Sequence, residues 1–340
     1  MKAARLLLPL VVVLAVYAVL QILFMTEVLN AYWEKIFSLS AFVTICCLGL
    51  GIIYGFTGQF SLGHAAFYGI GAYSAALFTK ALQVDSALGF LVAILIGGAS
   101  AGLVGFLIGL PILRLRSDYL GIATLGFGVM VKTGLDNTDG LAGLLGGDLL
   151  GGARGMTGIP PLASFTWAFG FLVIAVIVLR NFVYSNLGRA CLAIREDEIA
   201  ADVMGVNTTR YKTIAFVIGC AYAGVAGALY AHFYRFLHPS NFDFLKSVDF
   251  LMVVVLGGLG SITGTVIAAV GWTFLLEGLR FVLPSNLLDF RMVIYPLILI
   301  AMMLLRPRGL FGGNELGPLK PPIDEPQPKA SEARSPGVTA

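Results

Sequence analysis

The run from Leu6 to Met25, LLLPLVVVLAVYAVLQILFM, holds no charged residue in 20 positions. That is about the length a helix needs to cross a bilayer, and similar runs recur along the chain. Hydrophobic residues make up 58% of the 340 positions and charged residues 12%, against roughly a quarter charged in soluble domains. No water-soluble fold of this size buries so much apolar surface, so the chain reads as an all-α integral membrane protein. The first run exceeds the roughly 7–15 apolar residues of a signal peptide, and no small-x-small cleavage site follows it. It is expected to stay as the first span.

Stretches with the length and apolarity of a span fall at 6–25, 37–56, 62–81, 88–112, 119–133, 165–183, 212–233, 247–258, 264–283 and 290–305. That predicts a bundle of about ten transmembrane helices, with eight to ten as the range. The segment 119–133 is short, and 247–258 is shorter still and reads as a half-helix or re-entrant piece. With the N-terminus inside, the crossings place Arg114, Arg116, Arg180, Arg189, Arg195, Arg210, Lys212, Arg306 and Arg308 inside. The loops assigned outside keep only Lys35, Arg154, Arg235 and Lys246. This is the basic-inside distribution, and it puts both termini in the cytoplasm. Residues 1–312 are thus expected to form the transmembrane domain, with an outside loop at 134–164 and a cytoplasmic loop at 184–211. The segment 313–340 has six prolines, mixed charge and no apolar periodicity, and reads as a disordered cytoplasmic tail.

Several chemistries are excluded. The dipeptide Gly-Lys never occurs, so the chain lacks the phosphate-binding lysine of a P-loop and an ATPase site of that kind. No HExxH or GxSxG constellation appears, and three scattered histidines make no metal site. The four cysteines, Cys46, Cys47, Cys191 and Cys220, have neither zinc nor disulfide spacing. The net charge of +3 comes without a basic cluster interleaved with aromatics, so nucleic acid is not an expected partner.

The loop 184–211 carries the most information. A short helix is predicted from Glu196 to Met204, with Glu196, Asp197 and Glu198 in its first turn, where the helix dipole favours anions. Gly205 is placed to end it. Ile199, Val203 and Val206 repeat at i, i+4 and i+7, with Leu192 upstream. Such an apolar stripe outside the bilayer either lies against its own membrane domain or docks into a partner's groove.

The stretch GFTGQFSLGHAAFYGIGAY, residues 55–73, places Gln59, Ser61 and His64 among glycines and alanines. It allows two readings. One is a polar turn leading into a close-packing helix face, as small residues permit. The other has Gln59, Ser61 and His64 facing a cavity on a solute path, since polar groups at membrane depth are tolerated there. The glycines at 98, 102, 105 and 109, and the small residues Gly219, Ala223, Gly227 and Ala228, read as packing faces. The segment GGLGSITG, 257–264, breaks the chain at another turn. Glu277 and Arg280, at i and i+3 in an apolar span, read as a structural ion pair near its outer end.

Three of these stretches carry a resemblance. Residues 55–77, the stretch LRLRSDYLGIATLGFG at 113–128, and GRACLAIREDEIAADVMGVNTTRYK at 188–212 resemble the branched-chain amino acid permease family of ABC importers, and within it the M-type subunits. The segment at 253–269 and LLRPRGLFG at 304–312 also fit. Ala200, Ala201 and Gly205 match the family's ATPase-coupling pattern, although Ile199 replaces the usual acid and Glu198 lies one residue earlier. The resemblance implies an ATPase-coupling loop that includes Arg195, Glu196, Asp197, Glu198, Ile199, Ala200, Ala201, Val203 and Gly205. It implies an inner-membrane subunit that binds no cofactor and does no bond chemistry, with ATP used by two partner ATPase subunits. The other implied partners are a second homologous permease and an extracytoplasmic solute-binding protein. The alternatives are an ABC permease for urea or another small polar solute, an ion-coupled secondary transporter, and a channel.

Overall fold

The computed structural model describes residues 2–26, 28–113, 117–138 and 150–282, with scattered positions between 297 and 315. Among the described residues, regular structure is helical apart from one isolated bridge between Met156 and Leu237. The helices are α1 (Lys2–Met25), α2 (Ala31–Leu50), α3 (His64–Ala81), α4 (Ala87–Ile112), α5 (Ser117–Asp136) and α6 (Phe165–Val183). They continue with α7 (Asn186–Glu196), α8 (Glu198–Val203), α9 (Thr208–Tyr234), α10 (Phe244–Gly257) and α11 (Ile262–Val282). A π-helical turn, Gly51–Phe56, extends α2.

Five of these stretches are long and apolar enough to span a bilayer: α2 with its π turn, α4, α6, α9 and most of α11. The protein is therefore an all-α, multi-pass membrane protein. The helices α3, at 18 residues, and α10, at 14, pack among them. The expected short span at 119–133 is a 20-residue helix, Ser117–Asp136. The helix runs past both expected ends, and Lys132, inside the expected span, pairs with Asp243 over 3.8 Å. Most of the expected span 290–305 and most of the tail lie outside the described residues.

The core is a close-packed group of α2, α3, α4 and α9, with glycine at the crossing points. Lipid supplies no hydrophobic drive between helices, so dispersion contacts at short range must hold them. A Cβ on Gly71 of α3 would sit 2.2 Å from the Gly224 Cα of α9. One on Gly97 of α4 would sit 2.9 Å from the Ala228 Cβ, and one on Gly49 of α2 would sit 2.6 Å from the Gly219 oxygen. Helix α9 thus touches three neighbours through backbone. At the bundle end where α3 finishes, Met156 and Leu237 exchange backbone hydrogen bonds, and the Tyr73 hydroxyl donates to the Leu237 carbonyl.

Candidate functional site

At the opposite end, three pieces remote in sequence converge: the turn that follows α2, the α7–α8 loop, and the turn between α10 and α11. Arg195, in the last turn of α7, joins them. Its Nη1 donates to the Gly55 carbonyl over 2.7 Å, and its Nη2 donates to Glu196 over 2.8 Å. The guanidinium lies over Gly260, where a Cβ would come within 2.6 Å of Nη1. Gly260 has φ +82°, a conformation that a side chain would strain. Gly58, at φ +76°, fits beneath the Arg195 stem.

The helix predicted from about Glu196 to Met204 is α8, which starts two residues later, and a second helix, α7, ends at Glu196, the two meeting at Asp197. The physical reason is capping. Asp197 is extended, at φ −157° and ψ 110°, and its carboxylate accepts from the Ile199 and Ala200 N–H groups at 2.9 and 3.0 Å. A side chain that satisfies orphan N–H groups starts a new helix, so Glu196 closes α7 and Glu198 opens α8. Sequence reasoning missed α7. Its signals are the Ser185 cap and the buried positions Gly188, Cys191 and Ile194. Burial pushes the Cys191 thiol above its usual pKa, against a smaller lowering by the Thr57 hydroxyl. Gly205 follows α8 with φ +85°.

The proposed apolar stripe divides accordingly. Leu192 packs on the core from α7. On α8, Ile199 is 78% exposed and Val203 82%, with Met204 just beyond the helix also 82% exposed. Ala200 is exposed and Ala201 buried. Glu198 reaches Lys212 in the first turns of α9 at 2.5 Å, fixing α8 to the membrane helix that follows it.

The residues proposed for a solute path separate by depth. Gln59 donates from Nε2 to the Lys212 carbonyl over 3.1 Å. It lines a small cleft of about 80 Å³ with Thr57, Arg195, Glu198 and Lys212. Ser61 and His64 are buried inside the bundle, and His64 Nε2 lies 3.1 Å from the Cys46 carbonyl. Among the described residues, Gln59 Oε1, Ser61 Oγ and His64 Nδ1 are buried without a hydrogen-bond partner. Glu277 accepts from the Tyr32 hydroxyl at 3.1 Å, while the side chain of Arg280 lies outside the described residues.

One functional neighbour lies in the segment read as a tail. The Glu315 carboxylate accepts from the Ile262 N–H at 2.5 Å and the Thr263 N–H at 3.0 Å, capping α11 beside Gly260.

The family described as "Branched-chain amino acid transport system / permease component" matches residues 32–304. The chain is 32% identical over 337 residues to the high-affinity branched-chain amino acid transport system permease protein LivM of Escherichia coli K12, covering 89% of this chain and 73% of that one. It is likewise 32% identical over 327 residues to LivM of Salmonella typhimurium, covering 86% and 71%. It is 28% identical over 313 residues to the permease protein LivH of the same bacterium, covering 86% of this chain and 99% of LivH. No solved structure matches.

Proposed function

We infer, because this chain belongs to the family of branched-chain amino acid transport permease components, that it is a membrane-spanning subunit of an ATP-driven importer for leucine, isoleucine and valine. The observation that carries this reading is the match across 32–304, which includes every segment converging on Arg195. The relatives are named for branched-chain amino acids, so urea and ion-coupled carriage have no counterpart among them.

The finer assignments follow from chemistry. A solute bearing both an ammonium and a carboxylate crosses hydrocarbon poorly, so it needs a polar path, and uphill movement needs a motor. The chain has no P-loop lysine, so the motor belongs to separate ATPase subunits and ATP binds there. The exposed apolar side chains of Ile199, Val203 and Met204 supply a face for them. Residues 184–211 then lie in the cytoplasm of an inner-membrane protein, as do both ends of the chain. Similarity to both LivM and LivH supports pairing with a second, homologous permease. An extracytoplasmic binding protein delivers the solute and largely sets specificity.

Reconstitution tests this reading. Proteoliposomes holding the chain, its permease partner and the ATPases are expected to accumulate radiolabelled leucine only with ATP inside and binding protein outside. Accumulation driven by an ion gradient without ATP would overturn it.

A further inference from the structure

The cleft beside Gln59 has a volume of about 80 Å³, room for roughly five to eight water-sized groups. That suits a small amino acid and is too little for a nucleotide. Its polar wall is assembled from four places in the chain. Gln59 comes from the turn after α2, Arg195 from α7, Glu198 from α8 and Lys212 from α9.

One atom of this wall asks for a ligand. Gln59 is 3% exposed, and its Nε2 already donates to the Lys212 carbonyl. Its Oε1 is buried without a hydrogen-bond partner among the described residues. Turning the amide over would set Oε1 against that carbonyl, so the orphan acceptor does not go away. A buried acceptor is costly until it meets a donor, so the cleft favours a group that carries N–H or O–H.

The same wall offers spare donors. A guanidinium has five N–H groups, and Arg195 engages three of them, on the Gly55 carbonyl and on Glu196. An ammonium has three, and Lys212 directs one at Glu198. The charges balance, Arg195 against Glu196 and Lys212 against Glu198. A lone anion or a lone cation gains little in such a field, whereas a ligand with both poles satisfies both sets. Leu113, Leu120 and Ile194, all buried, supply the apolar part of the lining.

We propose that this cleft binds one zwitterionic amino acid with an aliphatic side chain. Its ammonium sits on Gln59 Oε1 and Glu198, its carboxylate on Arg195 and Lys212, and its side chain against Leu113, Leu120 and Ile194. The occupant ties α7, α8 and α9 to the turn after α2, so it restrains any movement of α8. The identity of the ligand and the side of the membrane rest on the transport reading. On that reading the imported amino acid acts back from the cytoplasm and slows ATP hydrolysis.

The test uses the full complex of this chain with its permease partner and ATPases in nanodiscs, without binding protein. A leucine analogue with a diazirine in its side chain is photolysed with the complex, and labelled peptides are mapped by mass spectrometry. Label is expected on the peptides that hold Leu113, Leu120 and Ile194, and excess leucine should abolish it. Isocaproate and isoamylamine, which each keep one pole of leucine, should not compete. Gln59→Met, which keeps the length and removes the amide, should cut labelling roughly tenfold, as loss of a bond to a charged group predicts. Leucine should slow ATP hydrolysis by wild type, and Gln59→Met should need about tenfold more of it. Label confined to other segments, competition by either one-pole compound, or equal labelling of Gln59→Met overturns the site. Hydrolysis indifferent to leucine overturns the restraint. If Gln59→Met fails to assemble, the competition series on wild type decides alone. Leucine accumulation by proteoliposomes is read separately. Accumulation with no label here overturns the site and leaves the transport reading standing, whereas label here with no accumulation supports the site while the transport reading falls.

Discussion

Arg195 and Gly55 lie 140 residues apart and meet through one hydrogen bond, from the guanidinium Nη1 to the peptide carbonyl at 2.7 Å. The carbonyl belongs to the π-helical turn that ends α2, where regular backbone pairing stops and terminal carbonyls need other partners. The arginine belongs to the helix that ends against α8. If α8 meets a motor as proposed, its movement would be passed to the end of a membrane helix through this polar contact.

Arg195→Ala is expected to leave assembly intact and to weaken this transmission. A hydrogen bond to a charged group contributes roughly 1.5–3 kcal/mol. The Arg195 side chain is 31% exposed, so solvent screening reduces that to about 1 kcal/mol. Leucine imported per ATP hydrolysed in proteoliposomes should fall about fivefold, with Arg195→Lys in between. Unchanged stoichiometry would remove Arg195 from the path.

Gly260→Ala attacks the same junction from the other side. The new Cβ would sit 2.6 Å from the Arg195 Nη1, on a backbone at φ +82°. Strain of this kind costs roughly 1–3 kcal/mol. A double-mutant cycle with Arg195→Ala separates the two sources. The part due to the clash should vanish when the guanidinium is gone, and the backbone part should remain in thermal unfolding of the purified protein. Strict additivity of the two substitutions would mean that Arg195 does not rest on Gly260.

The spans were legible because a run of about 20 apolar residues has few other uses. The ends of α5 were less legible: the helix runs on to Asp136, past the expected end at 133, and the partner of Lys132, Asp243, comes from a distant turn. Acids at 196–198 signalled a helix start, but the sequence did not show that Asp197 alone is the cap. The partners of Arg195 are a backbone carbonyl and a glycine with no side chain to announce them. Glu315 was hidden by its prolines: composition marked the segment as tail, whereas its role depends on the orphan N–H groups of α11.

Glycine substitutions should divide sharply by position. Gly71→Ala would drive a methyl to 2.2 Å from the Gly224 Cα. Neither backbone can yield without separating α3 from α9, and overpacking costs roughly 1–3 kcal/mol or more. Gly126 on α5 has nothing within 4 Å of a built Cβ. Gly126→Ala should be neutral or stabilise by up to about 1 kcal/mol through helix propensity. Thermal midpoints in mild detergent check the pair, and similar midpoints for the two variants would contradict the backbone contact.

The end of the bundle near Gly260 is also held from the C-terminal side, which sets a boundary for truncation. Leu310 N–H donates to the Leu256 carbonyl at 2.9 Å, and Phe311 N–H to that of Gly257 at 3.3 Å. Glu315 then caps Ile262 and Thr263. Loss of a side-chain cap costs roughly 0.5–2 kcal/mol, and the exposed start of α11 adds the cost of unpaired N–H groups in a partly buried turn. A chain ended after residue 318 should therefore match the full-length thermal midpoint. One ended after residue 312 should unfold several degrees lower, and Glu315→Ala in the full-length chain should reproduce most of that loss. Equal midpoints for the two truncations would show that the carboxylate does not hold the α10–α11 turn, and the junction under Arg195 would then depend on its glycines alone.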